Sequence, residues 1–300
     1  MQRRDFLIAL ASLSTFKVAA QAAVPFAPVL PGRPLSFPAD HGAHPDFRTE
    51  WWYATGWLSL PDGRPLGFQT TFFRVRTGIG ESNASAFAPR QLILAHAALA
   101  DPAHGRLRHD ERSARTGFGR AGFATDQTQV WVGDWRFEQQ ADGYRAVVRS
   151  ADFAYALKLI PNGPPMLNGD AGFSTKAPDP RHASYYYSRP QLKVDGNVTL
   201  AGQTRAVTGQ AWLDHEWSSE VLAQGARGWD WIGINLADGS ALMAFRLRGA
   251  ADSAMWSAAS LRQADGRTRI FPPAAVAFEP LRHWRSPRTG ITYPVAWRVR

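Results

Sequence analysis

The sequence predicts an all-β protein built from antiparallel hairpins, closed as a barrel or stacked as a sandwich, in two similar consecutive units. Three observations predict it. Period-two alternation of apolar and polar residues recurs, while helical periodicity is scarce. Asp-Gly pairs punctuate the alternating segments. The 300 residues include 12 Trp, 17 Phe and 7 Tyr beside 26 Gly and 21 Pro, a strand-and-turn composition.

The chain begins "MQRRDFLIALASLSTFKVAAQAA". Arg3-Arg4 precede an apolar stretch from Phe6 to Phe16, and Ala20-Gln21-Ala22 forms an A-x-A exit. This is a secretory layout of the twin-arginine type, expected to engage that export machinery and to be cleaved near Ala22-Ala23. The apolar run is too short to span a bilayer and is interrupted by Lys17. Residues 1–22 are therefore expected to be a leader, and the mature protein to be periplasmic or secreted from a bacterium. Losing Arg3, Arg4 and Lys17 against Asp5 lowers the net charge from +9 to +7. The basic excess is scattered, without the runs that mark nucleic-acid binding, so no nucleic-acid partner is expected.

Asp-Gly occurs at 62-63, 142-143, 195-196, 238-239 and 265-266. The expected device is a type I′ hairpin turn, whose positive φ glycine accepts without strain. Two stretches read as surface loops: Thr77–Pro89, and the Pro/Gly-rich Pro161–Pro180, long enough to be a linker or a functional loop. "EWWYATGWL" (Glu50–Leu58) and "SYYYSRPQL" (Ser184–Leu192) share three aromatics and a later Leu at an offset of 134, each followed by an Asp-Gly pair. As a repeat, this implies two β units of roughly 130 residues. A second unit from His182 would run past residue 300, and the chain ends in an alternating stretch, "GITYPVAWRVR". The second unit is accordingly expected to be incomplete.

The chemical candidates lie in "GQAWLDHEWSS" (Gly209–Ser219). On a strand, Trp212, Asp214 and Glu216 share one face, and Leu213, His215 and Trp217 the other. A carboxyl against indole is poorly solvated, so its pKa rises and it can serve as a general acid. A neighbouring imidazole could relay or orient the proton. The structural alternatives are an ion pair for either carboxylate and a backbone bond for His215. In "HPDFRTEWWY" (His44–Tyr53), Glu50 and Trp52 share a face, and Arg48 is the expected partner of Glu50. Tyr185 and Tyr187 could bind substrate or donate a proton; aromatic core packing is their alternative. There is no cysteine, and no G-x-S-x-G, P-loop or G-x-G-x-x-G motif. His41 and His44, or Asp214-His215-Glu216, are conceivable metal ligands, but consecutive strand residues point apart, so no metal is expected.

"HPDFRTEWWYATGWL" and "GQAWLDHEWSS" together resemble the signature blocks of the AttH-like, carotenoid 1,2-hydratase (hydroxyneurosporene synthase) family, in its secreted branch. The resemblance covers about Phe37 to the end. It implies two consecutive antiparallel lipocalin-like β-barrels packed together, residues 37–175 and 182–300, and no cofactor. It also implies Asp214 as proton donor to a carbon–carbon double bond, with Trp212 stabilising the cation. His215, Glu216 and Tyr185 to Tyr187 would line the same region, making Asp214, His215 and Glu216 the expected catalytic set. Trp212, Tyr185, Tyr187, Trp52 and Glu50 are the expected substrate-binding set. The resulting expectation is an exported hydratase-like enzyme acting on a terpenoid or lipid-like molecule. A non-catalytic carrier of an apolar small molecule and a periplasmic hydrolase are the alternatives.

Overall fold

A computed structural model describes residues 26–220 and 222–300; the expected leader, 1–22, lies outside the described residues. The chain is all-β. The first run of hairpins comprises β1 (Thr49–Ser59), β2 (Pro65–Arg76), β3 (Gln91–Ala100) and β4 (Leu107–Arg115). A second run comprises β5 (Ala121–Phe123), β6 (Gln129–Val132), β7 (Trp135–Gln140), β8 (Gly143–Arg149) and β9 (Phe153–Ile160). Two short strands, β10 (Met166–Leu167) and β11 (Phe173–Thr175), precede the long β12 (Ala183–Leu200) and β13 (Gln203–Ser218). After these come β14 (Gly228–Asn235), β15 (Ala241–Arg248), β16 (Ala254–Arg262), β17 (Thr268–Phe271), β18 (Phe278–Arg285) and β19 (Thr292–Val299).

Strands β1 to β13 form one sheet, ordered β4-β3-β2-β1-β13-β12-β9-β8-β7-β6-β5, with β10 and β11 paired to β12. Its two ends approach each other, β3 and β4 against β5 and β6, so the sheet is nearly a closed barrel. Alternation decides what fills it. Trp52, Ala54 and Leu58 of β1 and Ala211 and Leu213 of β13 point inward, to a core with Phe68, Phe72, Trp135, Phe137 and Tyr155. Residues 26–48 cross one end of this barrel, where Leu35, Phe37 and Phe47 pack on Tyr185, Tyr187 and Trp217.

Strands β14–β17 form a second sheet and β18–β19 a hairpin. The second sheet covers the outer face of β12 and β13 through Tyr186, Trp212, Met243, Phe245 and Leu247. The hairpin packs on the second sheet through Val276, Phe278 and Trp297. Strand pairing therefore changes partners after Ser218, not between 175 and 182, because β12 and β13 close the first sheet. The two aromatic triplets of the apparent repeat are the two neighbours of β13, in β1 and β12.

Four Asp-Gly pairs sit at hairpin turns, with φ of 83°, 150°, 87° and 88° at Gly63, Gly143, Gly239 and Gly266. Their aspartates are not at positive φ, so these are not the expected type I′ turns, which need both central residues there. Asp195-Gly196 is not a turn: it lies within β12, and a Cβ on Gly196 would come within 2.2 Å of the Ala156 carbonyl oxygen in β9. That glycine permits close strand approach, while the turn falls at Ala201-Gly202. The stretch Pro161–Pro180 is no linker either, since β10 and β11 within it lie along β12. Among the described residues, no helix is long and apolar enough to cross a membrane.

Candidate active site

Two polar clusters flank β13, one on each face. On the outer face, under the second sheet, Asp214 is 3% exposed. Its Oδ1 accepts from Trp212 Nε1 at 2.7 Å and from Ser188 Oγ at 2.6 Å. Asn168 Nδ2 donates to Ser188 Oγ at 2.8 Å, which turns the serine proton toward the carboxyl. Trp231 Nε1 donates to the Tyr186 hydroxyl at 3.0 Å, on the same face of the sheet as the carboxyl. Tyr53, directly across from Asp214 on β1, adds a phenol edge-on to Trp231. With Oδ1 occupied as an acceptor, a proton on Asp214 belongs on Oδ2.

Burial pushes the Asp214 carboxyl up to about 7; the nearby Glu216 charge adds to this, and the bonds from Ser188 and Trp212, with the Tyr186 hydroxyl beside them, oppose it. Glu216 has its own counter-ion. Lys176 Nζ lies 2.9 Å from Glu216 Oε1 and 3.1 Å from Ser184 Oγ, and Ser184 also donates to Glu216. The ammonium sits over the rings of Phe245 and Tyr186 at 4.3 and 4.9 Å. Of two neighbouring carboxyl groups, one is thus paired with a cation and the other has only neutral partners.

Trp212 and Trp231 meet edge to face, centroids 6.2 Å apart. Gly233 makes this closure fit, since a Cβ there would lie 2.7 Å from Trp231 and 2.9 Å from Trp212. Indole and phenol faces around a buried acid suit a substrate that becomes cationic on protonation.

The inner-face cluster has the opposite electrostatics. Glu50 is fully buried, with Arg74 Nε 2.8 Å from Oε2 and both His44 Nδ1 (2.7 Å) and His215 Nε2 (2.8 Å) on Oε1. Arg74, not Arg48, is its cationic partner; Arg48 is exposed, its guanidinium over Phe26. Arg74 stands directly across from Glu50 on β2, a pairing set by register that spacing within β1 could not reveal. His44 Nε2 also donates to Asp40 Oδ1 at 3.0 Å, so both ring nitrogens carry protons, and the ring lies flat on Trp217 at 3.7 Å. Burial alone would lower the His44 pKa, but Asp40 and Glu50 outweigh it and raise it. Burial alone would raise Glu50, yet His215, His44 and Arg74 hold its carboxyl well below the usual range.

His215 continues the network. Burial depresses its pKa. As a neutral imidazole it donates from Nε2 to Glu50 and accepts at Nδ1 from the Tyr187 hydroxyl, 3.0 Å away. That hydroxyl accepts from His41 Nδ1 at 3.1 Å, and His41 Nε2 accepts from Arg189 at 3.3 Å. One set of tautomers satisfies every link. His44, Glu50 and His215 offer three ligand atoms within 4.8 Å of one another, a spacing within reach of a metal ion. Each of those atoms already has a hydrogen-bond partner, and the Arg74 guanidinium on the same carboxylate would repel a cation.

The expected site residues thus fall into two groups. Asp214, Glu216 and Trp212 come together on the outer face. His215, Glu50, Trp52 and Tyr187 come together on the inner face, with Trp52 stacked on His215 at 4.8 Å. The single region implied for His215, Glu216 and Tyr185 to Tyr187 is corrected by strand alternation: only Tyr186 faces Asp214. The Tyr185 ring packs in the core against Phe47 and Trp217, the aromatic packing that was its alternative, and its hydroxyl bonds the backbone N and O of Leu30 at 2.9 and 3.0 Å. Ser184, Ser188, Asn168 and Lys176 had no signal in the sequence beyond lying in or beside the "SYYYS" stretch and the aperiodic loop before it.

Comparison with known proteins agrees with this architecture. The crystal structure of a candidate AttH from Nitrosomonas europaea superposes with a TM-score of 0.85 at 54% identity, covering 91% of this chain and 83% of that one. Kievitone hydratase from Nectria haematococca superposes with a TM-score of 0.67, covering 93% and 80%; at 12% identity the likeness is one of fold. No curated protein sequence matches the chain. The AttH-like family model matches residues 28–300, and the chain belongs to the AttH-like family.

Proposed function

We propose that this protein is a hydratase-like enzyme that protonates a carbon–carbon double bond of a terpenoid or lipid-like substrate at the seam between its two β units. The carrying observation is Asp214, a buried carboxyl pushed up to about 7 and surrounded by Trp212, Tyr186 and Trp231. Protonated Asp214 gives its Oδ2 proton to one alkene carbon, and the C=C electron pair forms the new C–H bond. The cation on the other carbon rests against the indole and phenol faces. Water attacks it, and the resulting oxonium returns a proton to the Asp214 carboxylate, leaving an alcohol and the starting acid. Glu216 is engaged elsewhere, by Lys176 and Ser184. The fold shared with kievitone hydratase supports the reading. Export by the twin-arginine route is part of the proposal, on the strength of Arg3-Arg4 and Ala20-Gln21-Ala22.

Packing favours this over a carrier whose ligand sits in the first barrel, because Trp52, Phe72, Trp135 and Phe137 fill that barrel. A hydrolase built on a serine–histidine pair finds no support: among the described residues no serine hydroxyl bonds a histidine, and His215 points away from Ser184 and Ser188. The test is incubation with a panel of isoprenoid and unsaturated fatty-acyl compounds in ¹⁸O-water, with mass spectrometry of the products. Label should enter an alcohol with the native protein and not with Asp214→Asn. Normal turnover by Asp214→Asn would refute the assignment.

A further inference from the structure

Two loops of the first barrel hold three large apolar side chains in the open. Ile79 and Phe87 belong to the β2–β3 loop, residues 77–90, and Phe118 to the β4–β5 loop, residues 116–120; they are 60%, 62% and 59% exposed. Strands β4 and β5 are the two ends of the sheet order. This side of the barrel therefore faces away from β12, β13 and the second sheet that covers them.

The exposure is built into the backbone. Phe118 has φ of 55°, between Gly117 at 109° and Gly119 at 69°. A bulky side chain in the left-handed region is strained, and the ring held there joins no cluster of the core. It meets Phe87 instead, centroids 4.9 Å apart. Arg115 fixes the pair: Nη1 donates to the Phe87 carbonyl at 3.2 Å, and the guanidinium lies 4.8 and 5.9 Å from the two ring centroids.

Charge and backbone bonding select what the loops touch. Residues 77–90 and 115–120 contain one acid, Glu81, and three arginines, Arg90, Arg115 and Arg120. Glu81 is paired with Arg76, and among the described residues none of the three arginines has a carboxylate within ion-pair distance. The longer loop also satisfies much of its own backbone: the N–H groups of Ile79, Asn83, Ser85, Phe87 and Ala88 all find acceptors inside it. A segment bonded in this way can leave water without stranding those groups. Side chains that project from loops enter a fluid surface without needing a matching groove. Apolar tips with uncompensated arginines at their base fit an anionic lipid surface, rings at the acyl boundary and guanidinium groups on headgroup phosphates.

We propose that the 77–90 and 116–120 loops dock this protein on a bilayer surface containing anionic lipid, with Ile79, Phe87 and Phe118 inserted and Arg90, Arg115 and Arg120 on the phosphates. The docking does not depend on the chemistry at Asp214.

The chain has no cysteine, so a single nitroxide reports one position. Ala86→Cys, beside Phe87, gives a probe in the loop; Asp62→Cys, in the β1–β2 turn at the other end of β2, gives a control. Electron paramagnetic resonance of the full-length protein is read with vesicles of equal parts phosphatidylglycerol and phosphatidylcholine. The loop probe should become about tenfold more accessible to oxygen, relative to a nickel chelate, than in solution, and the control probe should not change. Phe87→Ser or Phe118→Gly, each in the Ala86→Cys chain, should return the loop probe to its solution value; glycine keeps the left-handed backbone and removes only the ring. Vesicles of phosphatidylcholine alone should lower the inserted fraction about tenfold. A loop probe that stays aqueous would overturn the proposal, whether or not the protein sediments with the vesicles. So would insertion unchanged by Phe118→Gly, or a loop probe already immobilised before vesicles are added, which would mark a protein–protein face instead.

Discussion

The two faces of β13 carry the same kinds of residue to opposite ends. On the inner face a carboxylate, Glu50, is surrounded by cations and N–H donors and is held ionised. On the outer face a carboxyl, Asp214, is as deeply buried but meets only neutral donors, and burial holds it protonated near neutral pH. The difference teaches that burial alone does not set a carboxyl's charge; the partners do. The inner cluster has the make-up of a structural ion network under the 26–48 strap, and the outer one that of an acid waiting to give up a proton.

Glu50→Gln should produce the largest effect. It leaves Arg74 buried without its anion and His44 with Asp40 alone, and urea unfolding at pH 7 should show a loss of about 3–5 kcal/mol. Asp214→Asn should do the reverse. A raised folded-state pKa means the native state binds the proton more tightly than the unfolded chain does. Its contribution is complete below the unfolded value near 3.8 and is lost as pH rises through about 7. At pH 8 the variant should therefore be more stable than the native protein, by up to about 4 kcal/mol, and its stability should fall less between pH 4 and 7. Glu50 titrates with the opposite sign: its contribution is present above 4.5 and lost as pH falls through its depressed value. Destabilisation by Asp214→Asn at pH 8 would erase the contrast between the faces.

Gly233→Ala drives a Cβ into Trp212 and Trp231. It should cost about 1–3 kcal/mol and change tryptophan fluorescence, with the inner network intact as judged by the His215 imidazole signals. The smallest effect belongs to Tyr185→Phe, which loses only the bonds to Leu30, about 0.5–1.5 kcal/mol in a thermal melt, and should leave alkene hydration unchanged.

Much of this was legible in the sequence. Alternation located the hairpins, and four Asp-Gly pairs marked real turns, because each step depends on residues adjacent in the chain. Alternation also divided Asp214 and Glu216 from His215. What was not legible depends on register. Arg74 meets Glu50 only because β2 pairs with β1 in one alignment. Tyr186 rather than Tyr185 or Tyr187 faces Asp214 because Ser188 stands opposite it. Lys176 and Asn168 come from an aperiodic loop that resembled a linker, and only its folding along β12 carries them to the site. The strap before β1, which brings Asp40, His41 and His44 together, has no periodicity to read.

The most direct test of the central claim is the titration of Asp214 itself. Carboxyl ¹³C signals of protein labelled at aspartate, followed from pH 3 to 9 with Asp214→Asn to assign the resonance, report its protonation. The account requires one aspartate with a midpoint near 7, absent from the variant. An Asp214 signal that titrates near 4 would contradict it.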